Sequence, residues 1–236
     1  MSQHDHAAYL APGRFVDSDH PSIRAFAHKT VGRETDARAK ALKLYYAVRD
    51  DIFYDPYRLE MTPEGFKAST CLERGYGFCV TKAAVLGAAA RAVGIPARVG
   101  YADVLNHLAT ERLRKLMQTD LFVYHGYTEL LLDGRWVKAT PAFNLKLCEK
   151  FRVLPLDFDG KTDSVFHPFD AAGRKHMEYV RDRGVFADVP FEDIDAEFRR
   201  LYFRMYDFDR KGGGAKGDFA AEAETETKSK AAPSQK

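Results

Sequence analysis

The stretch GYGFCVTKAAVLGAAARAVGIPARVG, residues 75–100, constrains the chain more than any other, because it fixes both ends of one helix. Gly75 and Gly77 allow a turn and a close backbone approach at its entry. An alanine-rich run follows, and Gly94 stands where a helix ends on a glycine. Pro96 prevents continuation, and ARVGYADV reads as a strand. One cysteine, Cys79, opens the helix. Unpaired N–H groups and the positive dipole end in that first turn favour a thiolate, and the same N–H groups suit an oxyanion hole. A free cysteine is more often a small buried apolar residue, so position alone does not make Cys79 a nucleophile.

The flanking segments give the organisation. HPSIRAFAHKT and TDARAKALKLYYAVRDDI read as helices, the second with Thr35 or Asp36 as N-cap. TPEGFKAST carries the signals of a short helix, and LNHLATERLRKLMQ reads as an inserted one. FEDIDAEFRRLYFRMYDF is amphipathic. The expected organisation is an extended arm over 1–20, a core over 21–150, an irregular wrap with one short helix and then the amphipathic helix over 151–210, and a disordered tail over 211–236. The tail is glycine-rich and low in hydrophobicity.

Composition excludes several classes. A formal net charge of +2 gives no electrostatic case for nucleic acid or an anionic membrane. No apolar run approaches the roughly 18 residues of a membrane span. The first residues lack the charged-then-apolar order of a secretory signal. Cys71, Cys79 and Cys148 are odd in number and lack zinc spacing, which points to free thiols in a reducing compartment and to a cytoplasmic protein. DFDGKTD (157–163) lacks the full calcium-loop pattern, and HDH (4–6) reads as a solvated tail. No metal or cofactor is expected.

LFVYHGYTELLLDGRWVKAT (121–140) reads as a hairpin with Asp133-Gly134 as a type I′ turn. That turn opposes Leu131 to Trp136, Glu129 to Lys138 and Tyr127 to Thr140, all chemically sensible pairs. His125 lies on the first strand. The register makes Thr140 and Asn144 the diagonal neighbours of its face, so a residue that orients His125 comes from there.

Together, the 75–101 block and HGYTELLLDGRWVKATP resemble the transglutaminase-like core, over about residues 35–145. The matching positions are Cys79, Arg91, Gly94, Ile95, Pro96, Ala97, Arg98, His125, Glu129 and Trp136, with Tyr127 where tryptophan is common. AVRDDIFYDP is similar to the helix end that precedes this core. The resemblance implies an α+β, papain-like fold with the cysteine at a helix N-terminus packed on an antiparallel sheet. It implies a Cys79–His125 pair that forms a thioester from a peptide or protein amide, resolved by water or by an amine. Hydrolysis is preferred, because water needs no dedicated second site. There is one departure: the family's aspartate falls on Thr140, which can accept a hydrogen bond from the imidazole but cannot neutralise an imidazolium. Asn144 is the alternative orienter, since related thiol enzymes use asparagine. The competing expectation, favoured by that substitution, is a catalytically inactive binding or scaffold module.

Overall fold

The computed structural model describes residues 3–107, 109–165, 173, 176–205 and 217–231. Helix α1 (Pro21–Val31) is followed by α2 (Ala37–Asp51), whose N-cap is Asp36, accepting the Ala39 N–H at 2.8 Å. Strand β1 (Phe53–Tyr54) pairs in parallel with β2 (Tyr76–Gly77). Between them lies α3 (Ala68–Arg74), which ends on Gly75 at φ 70. The expected helix over 62–70 is split. A 3-10 turn covers Glu64–Phe66, and α3 restarts after Lys67, which has extended backbone.

Helix α4 (Cys79–Ala92) is apolar on every side, so it must be surrounded. The first three helices pack on it, and a sheet covers the remaining face. Even Lys82 is 0% exposed. Its Nζ donates to the Arg49 and Ile52 carbonyls at 2.9 and 2.6 Å, covering the C-terminal end of α2. Burial pulls the Lys82 pKa down to about 7.

The sheet contains β3 (Ala97–Asn106), β4 (Leu121–Leu132), β5 (Arg135–Ala139) and β6 (Met177–Phe186), all antiparallel, in the order β5-β4-β3-β6. The fold is therefore α+β, with the central helix packed on an antiparallel sheet. Asp133 and Gly134 have φ 49 and φ 76, the double positive of a type I′ turn. Leu131 faces Trp136 and Glu129 faces Lys138, as the turn predicts. The ladder stops at Thr128–Ala139, short of the expected Tyr127–Thr140 pair. Pro141, with no N–H, follows two residues later. The charge pairing also differs. Glu129 binds Arg98 from β3 at 2.6 Å, while the Lys138 ammonium lies 4.8 Å from the centre of the Tyr127 ring.

Helix α5 (Glu111–Met117) lies between β3 and β4, and α6 (Leu145–Phe151) follows β5. The inserted helix starts later than expected. Leu105 and Asn106 still belong to β3, and Thr110 supplies the cap. α7 (Phe191–Leu201) follows β6, and α8 (Phe219–Ala231) ends the described chain.

Three segments depart from their expected conformation. The arm holds a 3-10 helix at Gln3–Tyr9 and buries Phe15 and Val16. The Asp188 carboxylate gathers the N–H groups of Arg14, Phe15 and Val16. The expected wrap contains β6, an edge strand whose Tyr179 and Val180 are exposed, which hides the usual alternation. Within the tail, 219–231 is helical, because Phe219 is buried against Tyr54, Tyr57 and Phe151. Residues 211–216 and 232–236 lie outside the described residues.

Candidate active site

Cys79 is the first residue of α4. The preceding N-cap, Phe78, has no side-chain acceptor. Instead the Thr81 hydroxyl accepts the Phe78 N–H at 3.1 Å. The N–H groups of Cys79 and Val80, unpaired within the helix, act on the Cys79 sulfur, and the N–H of Gly126 on β4 joins them. All three favour the thiolate. Burial outweighs them and pushes the thiol up to about 11, at a residue 7% exposed.

Gly126 brings β4 to this point. Any side chain there would meet the backbone of Cys79 and Val80. Two residues on, the Thr128 hydroxyl donates to the Ala83 carbonyl at 2.8 Å. Gly126 and Thr128 thus face α4, and His125 and Tyr127 alternate to the other face. The β4–β5 ladder begins only at Thr128, so at Gly126 β4 is paired with β3 alone, opposite Tyr101. The peptide joining His125 to Gly126 thus lies against the first turn of α4, where Cys79 stands.

The strand is re-aimed just before His125. Tyr124 has φ 53, a left-handed conformation uncommon for a bulky residue, and its N–H donates to the Asp103 carboxylate at 3.1 Å. Asp103 sits at a bulge in β3 and is gripped by Arg183 at 2.8–2.9 Å. His125 itself is 3% exposed. Burial, and then the neighbouring His176, bring its pKa down to about 3, so it is neutral at physiological pH. His176 stacks on Phe143 with centroids 6.5 Å apart. Sequence reasoning missed His176. GRKHMEYV has no recognisable spacing, and only the pairing of β6 with β3 carries it there.

Thr140 and Asn144 are both buried. The Thr140 hydroxyl donates to the Ser164 carbonyl at 2.9 Å. Asn144 is the N-cap of α6 but does not cap it with its side chain; its Oδ1 accepts the Tyr54 N–H at 3.2 Å. Tyr54 and Cys79 line one small apolar pocket of about 40 Å³, walled also by Leu113 and Met117 of α5 and Phe198 of α7. The Tyr202 hydroxyl on its wall is committed to β4: it accepts the Val123 N–H and donates to the Leu121 carbonyl, both at 2.7 Å.

The remaining candidates have structural surroundings. Cys71 and Cys148 are buried free thiols, and burial pushes each up to about 11. Asp159 accepts the Lys161 and Thr162 N–H groups, and Asp163 accepts that of Lys138. Among the described residues no cluster of three or more potential metal-ligating side chains occurs, and no helix is long and apolar enough to cross a membrane.

Residues 24–141, half of the chain, match the Transglutaminase-like superfamily. Among solved structures, a "Putative Cysteine Protease" from Cytophaga hutchinsonii is 20% identical with a TM-score of 0.46, covering 79% of this chain and 55% of that one. A "putative protease" from Parabacteroides distasonis is 18% identical with a TM-score of 0.40, covering 60% of this chain and 27% of that one. The chain thus spans less than two thirds of either protein. No curated protein matches it.

Proposed function

Because this chain belongs to the transglutaminase-like superfamily, we propose that it is a cysteine-nucleophile enzyme acting on amide bonds of peptides or proteins, with Cys79 as nucleophile and His125 as its base. The observation that carries this reading is Cys79 at the N-terminus of α4, with the His125–Gly126 peptide of β4 packed against that same turn. With the thiol near 11 and the imidazole near 3, the resting pair is neutral, so His125 acts as a general base during attack. It takes the S–H proton as the C–S bond forms, and the carbonyl π electrons move to oxygen. The N–H groups at the start of α4 are suited to receive that oxygen. Collapse breaks the C–N bond, and His125 returns the proton to the leaving amine. Water then gives a proton to His125 as it attacks the thioester, and the sulfur leaves to be reprotonated. An amine in place of water makes the reaction a transfer. Hydrolysis is favoured because no second site is required. Thr140 or Asn144 orients His125 in this scheme.

A second reading, an inactive binding module, draws on the burial of Cys79, on the strand alternation that turns the His125 side chain away from α4, and on the neutral residue at position 140. One experiment separates the two: the full chain is treated with iodoacetamide and the modified cysteines are mapped by mass spectrometry. Cys79 reacting well ahead of Cys71 and Cys148, and slowed in His125→Ala, supports the enzyme. Equal rates at all three cysteines support the module.

A further inference from the structure

We infer that the pocket beside Cys79 selects an acyl donor whose residue at the attacked carbonyl carries an aliphatic or methionine-like side chain. The inference rests on the nucleophile reading above and names the substrate class for that site. Beside the sulfur the pocket is walled by Leu59, Phe78, Leu113, Met117, Phe122 and Met205, and none of its described lining residues is charged. The Tyr202 hydroxyl has already given its proton to the Leu121 carbonyl. The charged residues of α5 are engaged elsewhere. Lys115 pairs with Glu111 at 2.7 Å, Arg112 with Glu222 at 3.3 Å, and Arg114 donates to the Ala109 carbonyl. A carboxamide entering this space loses its water and meets at most the Tyr54 hydroxyl as a side-chain partner, and a full charge fares worse.

The pocket is small because it is filled. Leu113 and Met117 of α5 are almost wholly buried, and the free space of about 40 Å³ is less than a leucine side chain needs. A guest must therefore displace them. An apolar guest replaces apolar filler and keeps the buried surface apolar, whereas a polar guest does not. Unbranched methionines re-pack around such a guest at low cost. The first turn of α5 is held through polar contacts, Thr110 to the Leu113 N–H and Glu226 to the Glu111 N–H, while Met117 in its last turn meets the pocket through apolar packing.

The test is a panel of peptide vinyl sulfones identical except for the residue bearing the electrophile: Leu, Met, Gln, Glu or Lys. The sulfur adds to the β-carbon, the C=C bond opens, and the α-carbon takes the proton released from the thiol. Second-order rates of labelling at Cys79 are measured on the full chain, with iodoacetamide, which carries no side chain, as reference. Leu and Met reagents are expected to react about tenfold faster than Gln, Glu and Lys. Met117→Lys is expected to reduce the Leu rate and raise the Glu rate. His125-dependent iodoacetamide labelling of Cys79 with equal rates across the panel, or with Gln fastest, overturns the selectivity and leaves the nucleophile reading standing. Cys79 reacting no faster than Cys71 and Cys148 with every reagent overturns both.

Discussion

A Cβ atom on Gly126 would stand 3.0 Å from the Cys79 carbonyl oxygen and 2.9 Å from the Val80 Cα, so β4 meets the first turn of α4 through a residue with no side chain. Backbone on both sides leaves nothing flexible to give way. Gly126→Ala is expected to lower stability by about 1–3 kcal/mol through overpacking. It should also slow Cys79 labelling, because the strand that moves carries both His125 and the Gly126 N–H. Gly134→Ala is the control. Its φ of 76 strains alanine, but the space around it is open and the site is distant. It should cost about 1 kcal/mol and leave labelling unchanged. Equal labelling in both variants would show that the Gly126 contact does not fix the site.

The buried pair sets opposite pH limits. As pH falls from 6.5 toward about 3, the unfolded chain protonates His125 before the folded one does. Stability is therefore lost through that window, by up to about 1.4 kcal/mol per pH unit. As pH rises from 9 toward about 11, the unfolded chain ionises Cys79 first, and stability falls again. Urea unfolding between pH 4 and 7 checks the acid side. His125→Gln should show a shallower loss than wild type, and identical slopes would remove His125 as a cause.

What the sequence makes legible is what a few adjacent residues decide. Gly94 takes φ 84 after α4, and Asp133-Gly134 forces the hairpin, since both are local backbone demands. The Glu129–Lys138 register follows from the turn. The ion pair of Glu129 does not, because Arg98 arrives from β3, and no hairpin arithmetic contains the third strand. β6 is hidden for a related reason. MEYVRDRGVF lies at a sheet edge and fully buries only Met177, so it shows no apolar period. α8 buries just Phe219 and Ala223 along FAAEAETETKSKA, and its helicity depends on docking. Within the candidate site, Cys79 and His125 were visible through the resemblance. The pocket wall from α5 and α7, and His176, depend on packing between segments far apart in sequence.

Removing residues 217–236 tests that docking. Phe219 lies 5.4 Å from the Tyr57 ring and 5.8 Å from both Tyr54 and Phe151, and Glu222 accepts the Tyr57 hydroxyl. Losing a buried phenylalanine alone costs about 3–5 kcal/mol. A chain of this size should then melt roughly 6–20 °C lower. Tyr54 also lines the Cys79 pocket, so labelling should become faster. An unchanged melting temperature would return the segment to the dispensable tail expected from composition.

Tyr101 is fully buried on β3 opposite Gly126, and its hydroxyl has no hydrogen-bond partner among the described residues. An unpaired buried hydroxyl costs about 1–3 kcal/mol. Tyr101→Phe is therefore expected to raise the urea midpoint without changing the slope. A lower midpoint would mean that the hydroxyl is satisfied by a bound water.

Thr140 and Asn144 are the two candidates for orienting His125, and their hydrogen bonds differ. The Thr140 hydroxyl points its proton at the Ser164 carbonyl, which ties β5 to the segment beyond α6. Asn144 accepts from Tyr54, a wall of the Cys79 pocket, and its neighbour Phe143 stacks on His176 beside His125. Asn144 retains a second lone pair on Oδ1 for an imidazole N–H. We expect Asn144 to be the orienter and Thr140 to be structural. Thr140→Asp restores the family's charge on paper, but here the carboxylate meets the Ser164 carbonyl with no proton to offer. It should lose on the order of 2 kcal/mol or more and gain no reactivity. Thr140→Val should cost about 1 kcal/mol, with the pH profile of Cys79 labelling unchanged. Asn144→Ala should alter that profile, since a freed imidazole no longer holds one tautomer toward the sulfur, and Asn144→Asp should restore it in part. The reverse pattern, with Thr140→Val changing the profile and Asn144→Ala leaving it intact, would hand the role to Thr140.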